Sequence, residues 1–452
     1  MKAYLRLVTV ALGAALSAAS VLAQTQNPQN PPQSASQNAP GPAIPPNLQK
    51  LTLQQAEQIS IQNHPQIQAA MNLAQAAKAQ VTQTRSAYYP TIYGSFTGVD
   101  AESNSRIAAG LLNNPSVFER YANGLTVSQL LTDFGRTHNL VKSSDFRAQA
   151  QDANVVSSRA DVLLQVNQAY FGALKAQAVL SVAEATVKAR QLASDQVTEL
   201  AKNKIKSDLD VSFANVNLAQ AQLLLIQAQN NVQASFARLS AALGYSDLRT
   251  FQLAEEPMPP PLPPDGAGLV QQALRDRPEL ISERLAVSSA RSYATAERDL
   301  KLPTLSALGV AGLVPYNAPQ VAPRYAAAGF NLNLPIFNGH LYSALETEAQ
   351  QRAQAETQNL RELQDQVVRD VQTAFLDAQS AYQRLDVTQR LLSEASLALD
   401  LAQSRYKLGL SSIVELTQAQ LNQTEASIEQ ASARYDYEAQ TAILNFQVGA
   451  LH

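Results

Sequence analysis

The chain has 452 residues, 46% of them hydrophobic and 16% charged, with a net charge of −3 and no cysteine. That balance excludes an electrostatic nucleic-acid binder, which needs a basic surface, and it excludes disulfide frameworks and thiolate metal sites. The charged fraction is below the ~25% of an ordinary soluble domain.

Residues 1–23 read as a signal peptide. Lys2 and Arg6 precede an apolar stretch from Leu7 to Leu16, and Val21-Leu22-Ala23 ends on a small residue suited to cleavage before Gln24. No cysteine follows, so a lipoprotein is not expected. No later run reaches about 18 apolar residues, so no transmembrane helix is expected in the mature chain. Residues 24–50 are rich in Gln, Asn and Pro. They hold too little apolar surface to offset the entropy of ordering and are predicted to be disordered.

From Thr52 to about Ala87 the pattern reads as a helix, with Thr52 as N-cap. After Pro90 the period changes. Thr91 to Val99 reads as a strand, and Leu125, Val127 and Leu131 alternate with polar residues in a second one, giving a β-hairpin over 89–134. No proline then occurs between Pro115 and Pro257, and proline disfavours helix interiors by about 3 kcal/mol. This gap predicts a helical hairpin over 136–245, built from helices at Arg136 to Asn203 and Leu209 to Leu243. Apolar or small residues recur along it at three- and four-residue steps (Val162, Val166, Ala169, Ala173, Ala176), as in closely packed helices.

The pattern then starts again. A proline-rich linker at 257–264 leads to a helix from Asp265, its expected N-cap, to Leu300. After Pro303 comes a strand from Thr304 to Leu313. Its partner is a run in which Phe330, Leu332, Leu334 and Ile336 alternate with Gly329, Asn331 and Asn333, giving a β-hairpin over 303–337. A second helical hairpin over 339–449 follows, with helices at Leu341 to Leu408 and Ile413 to Val448. It copies the first at an offset of 205: Val166, Ala173, Leu180 and Gly244 recur as Val371, Ala378, Leu385 and Gly449. The chain is therefore read as two structural repeats, 51–256 and 265–452.

Strands of about 10 residues suit a membrane-spanning β-strand. Four strands cannot close a barrel, and open edges are not tolerated in lipid. Either the strands pack on something else or several chains pool them. Three chains would supply twelve, within the usual bacterial range. Tyr88, Tyr89, Tyr93 and Phe96 fit an aromatic girdle or ordinary strand packing equally well.

These residues match a family. The ordered repeat, the junctions Leu131-Thr132-Asp133-Phe134-Gly135-Arg136 and Leu334-Pro335-Ile336-Phe337-Asn338-Gly339, and the turn Arg405-Tyr406-Lys407-Leu408-Gly409-Leu410-Ser411-Ser412 resemble the TolC-type outer-membrane efflux proteins over about residues 51–450. The resemblance implies a fold that is mainly α with a β-barrel part. It implies a homotrimer that pools its strands into a shared 12-stranded barrel in outer-membrane lipid, with a helical tunnel across the periplasm. It implies a passive exit duct for efflux or type I secretion, partnered by a periplasmic adaptor and an inner-membrane pump. Pro90, Gly135, Pro303, Pro335 and Gly339 are the expected strand–helix junctions.

Glu415 stands where the family has acidic residues at its closed periplasmic mouth, and Asp210 aligns with it in the first repeat. Such a ring favours cations; a carboxylate near a helix start is also favoured in its own right. Gly409, Leu410 and Ser411, with Lys204 and Lys206 of the other tip, are the expected adaptor-docking residues, and Lys204 replaces the glycine of the second repeat. No enzyme chemistry, cofactor or metal is expected: His64, His138, His340 and His452 are scattered without zinc-ligand spacing, and no phosphate-cradling glycine loop occurs. The alternative reading is a periplasmic coiled-coil adaptor or scaffold without a channel. Such a protein would ordinarily carry one helical hairpin, whereas this chain is read with two hairpins and four strands.

Overall fold

Proline shapes the start of each repeat. The computed structural model describes residues 50–99, 120–263, 265–316 and 322–451; the expected signal peptide and residues 24–49 lie outside them. The single helix expected from Thr52 is two helices, α1 (Leu53–Asn63) and α2 (Pro65–Arg85). Pro65 has no N–H and would clash inside a helix, so it opens a new one, and His64 before it is extended at φ −72, ψ 124. Thr52 caps α1 through a reciprocal capping box with Gln55.

Two strands, β1 (Thr91–Val99) and β2 (Arg120–Thr132), lead into a first helical hairpin of α3 (Arg136–Lys202) and α4 (Asp208–Ala242). The second repeat begins with α5 (Ala267–Asp276) and α6 (Pro278–Arg298), again split at a proline where one helix was expected. Asp265 is not its N-cap. The helix starts two residues later, and Gly266 takes the cap position without a side-chain hydrogen bond. Strands β3 (Thr304–Tyr316) and β4 (Arg324–Asn333) and a second hairpin of α7 (Leu341–Lys407) and α8 (Ile413–Val448) complete the chain. The alternation expected to run on to Ile336 stops at Asn333, because Pro335 cannot donate to a ladder and the chain must turn into α7. Ile336 is 90% exposed there.

α3 and α7 have 67 residues each, about 100 Å at 1.5 Å per residue. Their partners are shorter and meet end to end. A Cβ on Gly244, at the end of α4, would lie 3.0 Å from the backbone of Asn63, where α1 gives way to α2. A Cβ on Gly449, at the end of α8, would lie 3.1 Å from the Arg277 nitrogen, where α5 gives way to α6. Both glycines are left-handed, at φ +82 and +77. The 205-residue repeat thus preserves a close backbone approach that only glycine allows.

The main core sits at the mid-height of α3. Val162, Val166, Tyr170, Phe171 and Leu174 pack there against Phe236 and Leu239 of α4, Leu243 just after it and Tyr435 of α8. The Tyr170 hydroxyl lies 2.8 Å from the Leu51 carbonyl oxygen and 2.7 Å from that of Ala254, and Tyr437 donates to Pro260 O at 2.9 Å. These contacts tie the chain before α1 and the linker after α4 to the helices.

The four strands form one antiparallel sheet in sequence order, so β2 pairs with β3 and joins the two repeats. By register, Ile92, Phe96, Leu125, Val127, Leu313, Phe330 and Leu332 share one face. Thr91, Ser95, Thr126, Ser128, Ser306, Asn331 and Asn333 share the other, with Leu308 and Val310 among them. The first face also carries Asn123, Gln129 and Arg324 and the second Tyr93, Leu130 and Tyr325. The two faces therefore differ in balance, one richer in apolar and one in polar side chains, in the sense a barrel wall between lipid and water requires.

Candidate functional site

The two hairpin tips carry most of the singled-out residues. Each tip ends its first helix in the same way. Lys204 N–H donates to Ala201 O at 2.8 Å and Ile205 N–H to Leu200 O at 2.9 Å. Gly409 N–H donates to Tyr406 O at 3.1 Å and Leu410 N–H to Arg405 O at 2.8 Å. This is the paired 5→2 and 6→1 bonding of a helix end closed by a left-handed residue. Gly409 has φ 73, and Lys204 adopts φ 59 although it carries a side chain. A left-handed non-glycine residue costs about 1–2 kcal/mol. Lys204→Gly is therefore expected to raise the stability of this turn by about 1 kcal/mol, read as slower amide exchange over 203–207. Unchanged exchange would refute the strain.

The following helices start alike. Ser207 caps α4 in a capping box with Asp210, and Ser412 caps α8 by accepting from Glu415 N at 3.3 Å. From there the tips diverge. Tyr406, only 7% exposed at the end of α7, donates its hydroxyl to Asp210 Oδ1 across the hairpins at 3.1 Å. Lys206 Nζ lies 3.6 Å from the centre of the Tyr406 ring and donates to the Tyr406 carbonyl oxygen at 3.3 Å. The first tip thus grips the second through a hydrogen bond and a cation–π contact. Beneath them Val197, Ala214, Ala402, Ile413 and Leu416 form a small apolar cluster with Tyr406. Glu415 instead pairs with Arg405 of its own hairpin at 3.1 Å.

Desolvation pushes the Asp210 carboxyl up. The Ser207 hydroxyl and N–H, the Tyr406 hydroxyl and Lys206 outweigh it and hold the carboxyl below the usual carboxylate range. Burial, followed by the bond to Asp210, pushes the Tyr406 phenol well above its ordinary value. The pair is therefore a neutral phenol donating to an ionised carboxylate.

Of the expected docking residues, Lys204, Gly409 and Leu410 are exposed, Ser411 is half-buried, and Lys206 is engaged with Tyr406. Ile205, Leu408 and Leu410 stand 66%, 74% and 67% exposed, so each tip carries exposed apolar side chains. Sequence reasoning missed Tyr406 and Arg405 as site residues. Both lie inside the quoted turn, but Tyr406 and Asp210 are 196 positions apart, and periodicity does not pair such positions.

At the junctions, Phe134 and Gly135 are left-handed at φ 54 and 115, as are Gly339 and His340 at φ 62 and 68. These turns swing the chain from strand to helix. In the first, Asp133 caps α3 by accepting from Thr137 N at 2.7 Å and from Gly135 N at 3.3 Å. Pro90 and Pro303 directly precede β1 and β3. Among the described residues no group of three or more His, Cys, Asp or Glu side chains could hold a metal ion. Among the described residues one helix, α4, is long and apolar enough to cross a membrane by length and composition. Its exposed Leu209, Val216 and Leu223 recur every seven residues, which marks a stripe for helix packing.

The family described as "Outer membrane efflux protein" matches residues 57–245 and 269–450. The chain is 22% identical to the outer membrane protein TolC of Escherichia coli K12 over 400 residues, covering 85% of this chain and 79% of that protein. It is 25% identical to the alkaline protease secretion protein AprF of Pseudomonas aeruginosa over 412 residues, 87% of this chain and 83% of that one. The structure of the outer membrane protein VceC of Vibrio cholerae superposes with a TM-score of 0.75 at 17% identity, over 88% of this chain and 96% of that one.

Proposed function

The chain belongs to the outer membrane efflux protein family, and on that premise we propose how this outer-membrane channel is assembled and closed. Three copies join head to tail into one duct, the passive exit of a tripartite efflux or type I secretion system. A periplasmic adaptor and an inner-membrane pump complete it and supply the energy.

The observation that carries the assembly is a pair of unsatisfied edges. β1 and β4 are the outer strands of an open sheet, and an open edge is not tolerated in lipid. Below them α4 packs mainly on α3, and α7 on α6 and α8. Each keeps an outward apolar stripe: Leu209, Val216, Leu223 and Ile226 on α4, and Val387, Leu391, Leu397 and Leu401 on α7. A second copy that sets its β1 against β4 and its α4 against α7 satisfies both edges at once, and a ring closes the series. With four strands per chain, two copies would make an eight-stranded barrel, whose interior side chains largely fill. Three make twelve and leave a duct.

Membrane fractionation tests this. The expected result is a heat-modifiable trimer in the outer membrane; a soluble periplasmic monomer overturns the reading. Ile226→Glu places a charge in each interface and removes an apolar contact of about 1.5–3 kcal/mol. It is expected to shift the protein toward monomer, and full assembly of that variant would refute the α4 stripe as the contact.

At the periplasmic end, Asp210 and Glu415 form the constriction, and Gly409, Leu410, Ser411, Lys204 and Lys206 receive the adaptor. Docking slides the hairpins apart and opens the mouth. In support, the only polar grip linking the tip turns among the described residues is small: the Tyr406–Asp210 bond and the Lys206 contacts. Glu415→Ala is expected to raise conductance or cation leakage in planar bilayers. Identical conductance and selectivity would remove Glu415 from the constriction.

A further inference from the structure

One buried cation has no role in the closure just described. Arg190 lies on α3, twelve residues before its end at Lys202, about 18 Å from the tip. It is 9% exposed. Its Nη2 donates to the Gln420 carbonyl oxygen at 2.9 Å and to Thr424 Oγ1 at 3.2 Å, both on α8. Both acceptors are neutral, and no carboxylate among the described residues forms an ion pair with Arg190. A guanidinium has five N–H donors, so Nε and Nη1 keep three without a protein partner. Burial alone pulls its pKa down.

Packing does not require this charge. The repeat offset of 205 carries Arg190 to Ala395, which is buried at 8% exposure on α7. The second hairpin fills the same level with a methyl group. A charge without a countercharge is unfavourable in so buried a position, and the first hairpin bears it where the second does not; its unpartnered nitrogens are open to the groove rather than sealed in the core.

Arg190 lines a cavity of about 240 Å³ in the groove between α4 and α8, over α3. Polar groups from all three helices surround it: Thr186 from α3, Asn217 and Gln220 from α4, and Thr417, Gln420 and Thr424 from α8. Asn217 Nδ2 donates to Thr417 Oγ1 at 3.0 Å, which joins α4 to α8 at this level. Glu425, exposed on the rim, is the cavity's one acidic residue and makes no ion pair with Arg190.

We propose that this groove is a binding site for a small monovalent anion, a halide or a simple carboxylate, held by the uncommitted Nε and Nη1 donors of Arg190. The anion supplies the missing countercharge. Its site exists only while α3, α4 and α8 are packed together, so occupancy favours that packed arrangement of the hairpins. All the residues come from one chain, so failure of this site would leave the assembly above standing.

Full-length protein in detergent is crystallised with sodium bromide, and its melting is followed in sodium bromide and sodium formate against sodium gluconate at equal ionic strength. One anomalous bromide peak per chain is expected within hydrogen-bond reach of Arg190 Nε or Nη1. Tm is expected to rise by about 2 °C in bromide or formate relative to gluconate. Arg190→Gln should abolish that rise, and Arg190→Lys should keep part of it. A cavity holding only water, or a carboxylate side chain from a second copy, overturns the proposal, as does an equal anion-dependent rise in Arg190→Gln. The bromide map needs no variant and reads the site even if the substitutions impair folding.

Discussion

Tyr406→Phe is expected to raise the single-channel conductance of the resting protein several-fold and to sensitise cells to compounds that enter through a leaking outer-membrane duct. The substitution removes one oxygen. The ring still fills its place among Val197, Ala214, Ile413 and Leu416, and Lys206 still faces an aromatic ring. What is lost is the 3.1 Å bond to Asp210. A hydrogen bond to a charged group contributes about 1.5–3 kcal/mol, and partial exposure of Asp210 brings this toward the lower end. About 1.4 kcal/mol is a tenfold change in an equilibrium, and a trimer holds the bond once per protomer. Asp210→Asn should act in the same direction and less strongly, because an amide still accepts from Tyr406 but loses the attraction of Lys206. If both variants conduct like the parent, the tips are held by something other than this grip.

The pH range of the grip follows from the same two groups. Asp210 has its folded pKa depressed, so its contribution is present above the ordinary carboxylate value of about 3.9 and is lost as pH falls through the lower folded value. Tyr406 has its folded pKa raised, so its contribution is present below the ordinary phenol value of about 10 and is lost as pH rises through the higher folded value. The contact should therefore hold across the whole of pH 5–9. Acid opening at pH 5–6 that disappears in Asp210→Asn would contradict this.

Gly244→Ala is expected to destabilise the protein by about 2–4 kcal/mol, while Gly409→Ala costs only about 1 kcal/mol. The two glycines have similar left-handed backbones, at φ +82 and +73. They differ in surroundings. A Cβ on Gly409 meets nothing within 4 Å, so only the backbone preference is lost. A Cβ on Gly244 meets the carbonyl carbon and oxygen of Asn63 at 3.0 Å and the His64 Cα at 3.2 Å. Those atoms are backbone at the proline break between α1 and α2 and cannot turn aside, so the end-to-end junction must separate. Gly449→Ala should resemble Gly244→Ala, because Asp276 and Arg277 stand equally close to it. Equal losses for Gly244→Ala and Gly409→Ala in thermal unfolding would show that the junction is not a rigid backbone contact.

Much of this architecture was legible in residue order. Proline-free, glycine-poor stretches located the four long helices to within about a residue, because a helix of that length tolerates neither residue well. Period-two alternation located β2 and β4, their partners β1 and β3 were read after Pro90 and Pro303, β1 alone at its full length, and the 205-residue offset exposed the duplication. Where local rules met a proline, the expectation failed twice in the same way. Pro65 and Pro278 fall inside the single helices read from Thr52 to Ala87 and from Asp265 to Leu300, yet each begins a new helix whose start meets a glycine from far along the chain.

The tips mark the division most clearly. Glu415 and Gly409 were singled out by the family resemblance, and Asp210 and Lys204 by aligning the first copy to them, a comparison that needs only order and spacing. That Asp210 binds Tyr406 of the other hairpin, while Glu415 binds Arg405 of its own, depends on how the two tips pack against each other. The same holds for Arg190, an unremarkable helical arginine until α8 covers it. Sequence by itself determined the long helices, the strands and their doubling, because backbone sterics and hydrophobic periodicity act over a few residues. Tertiary structure alone decided which polar groups face one another, because contacts between residues about 200 positions apart are set by packing and not by local pattern.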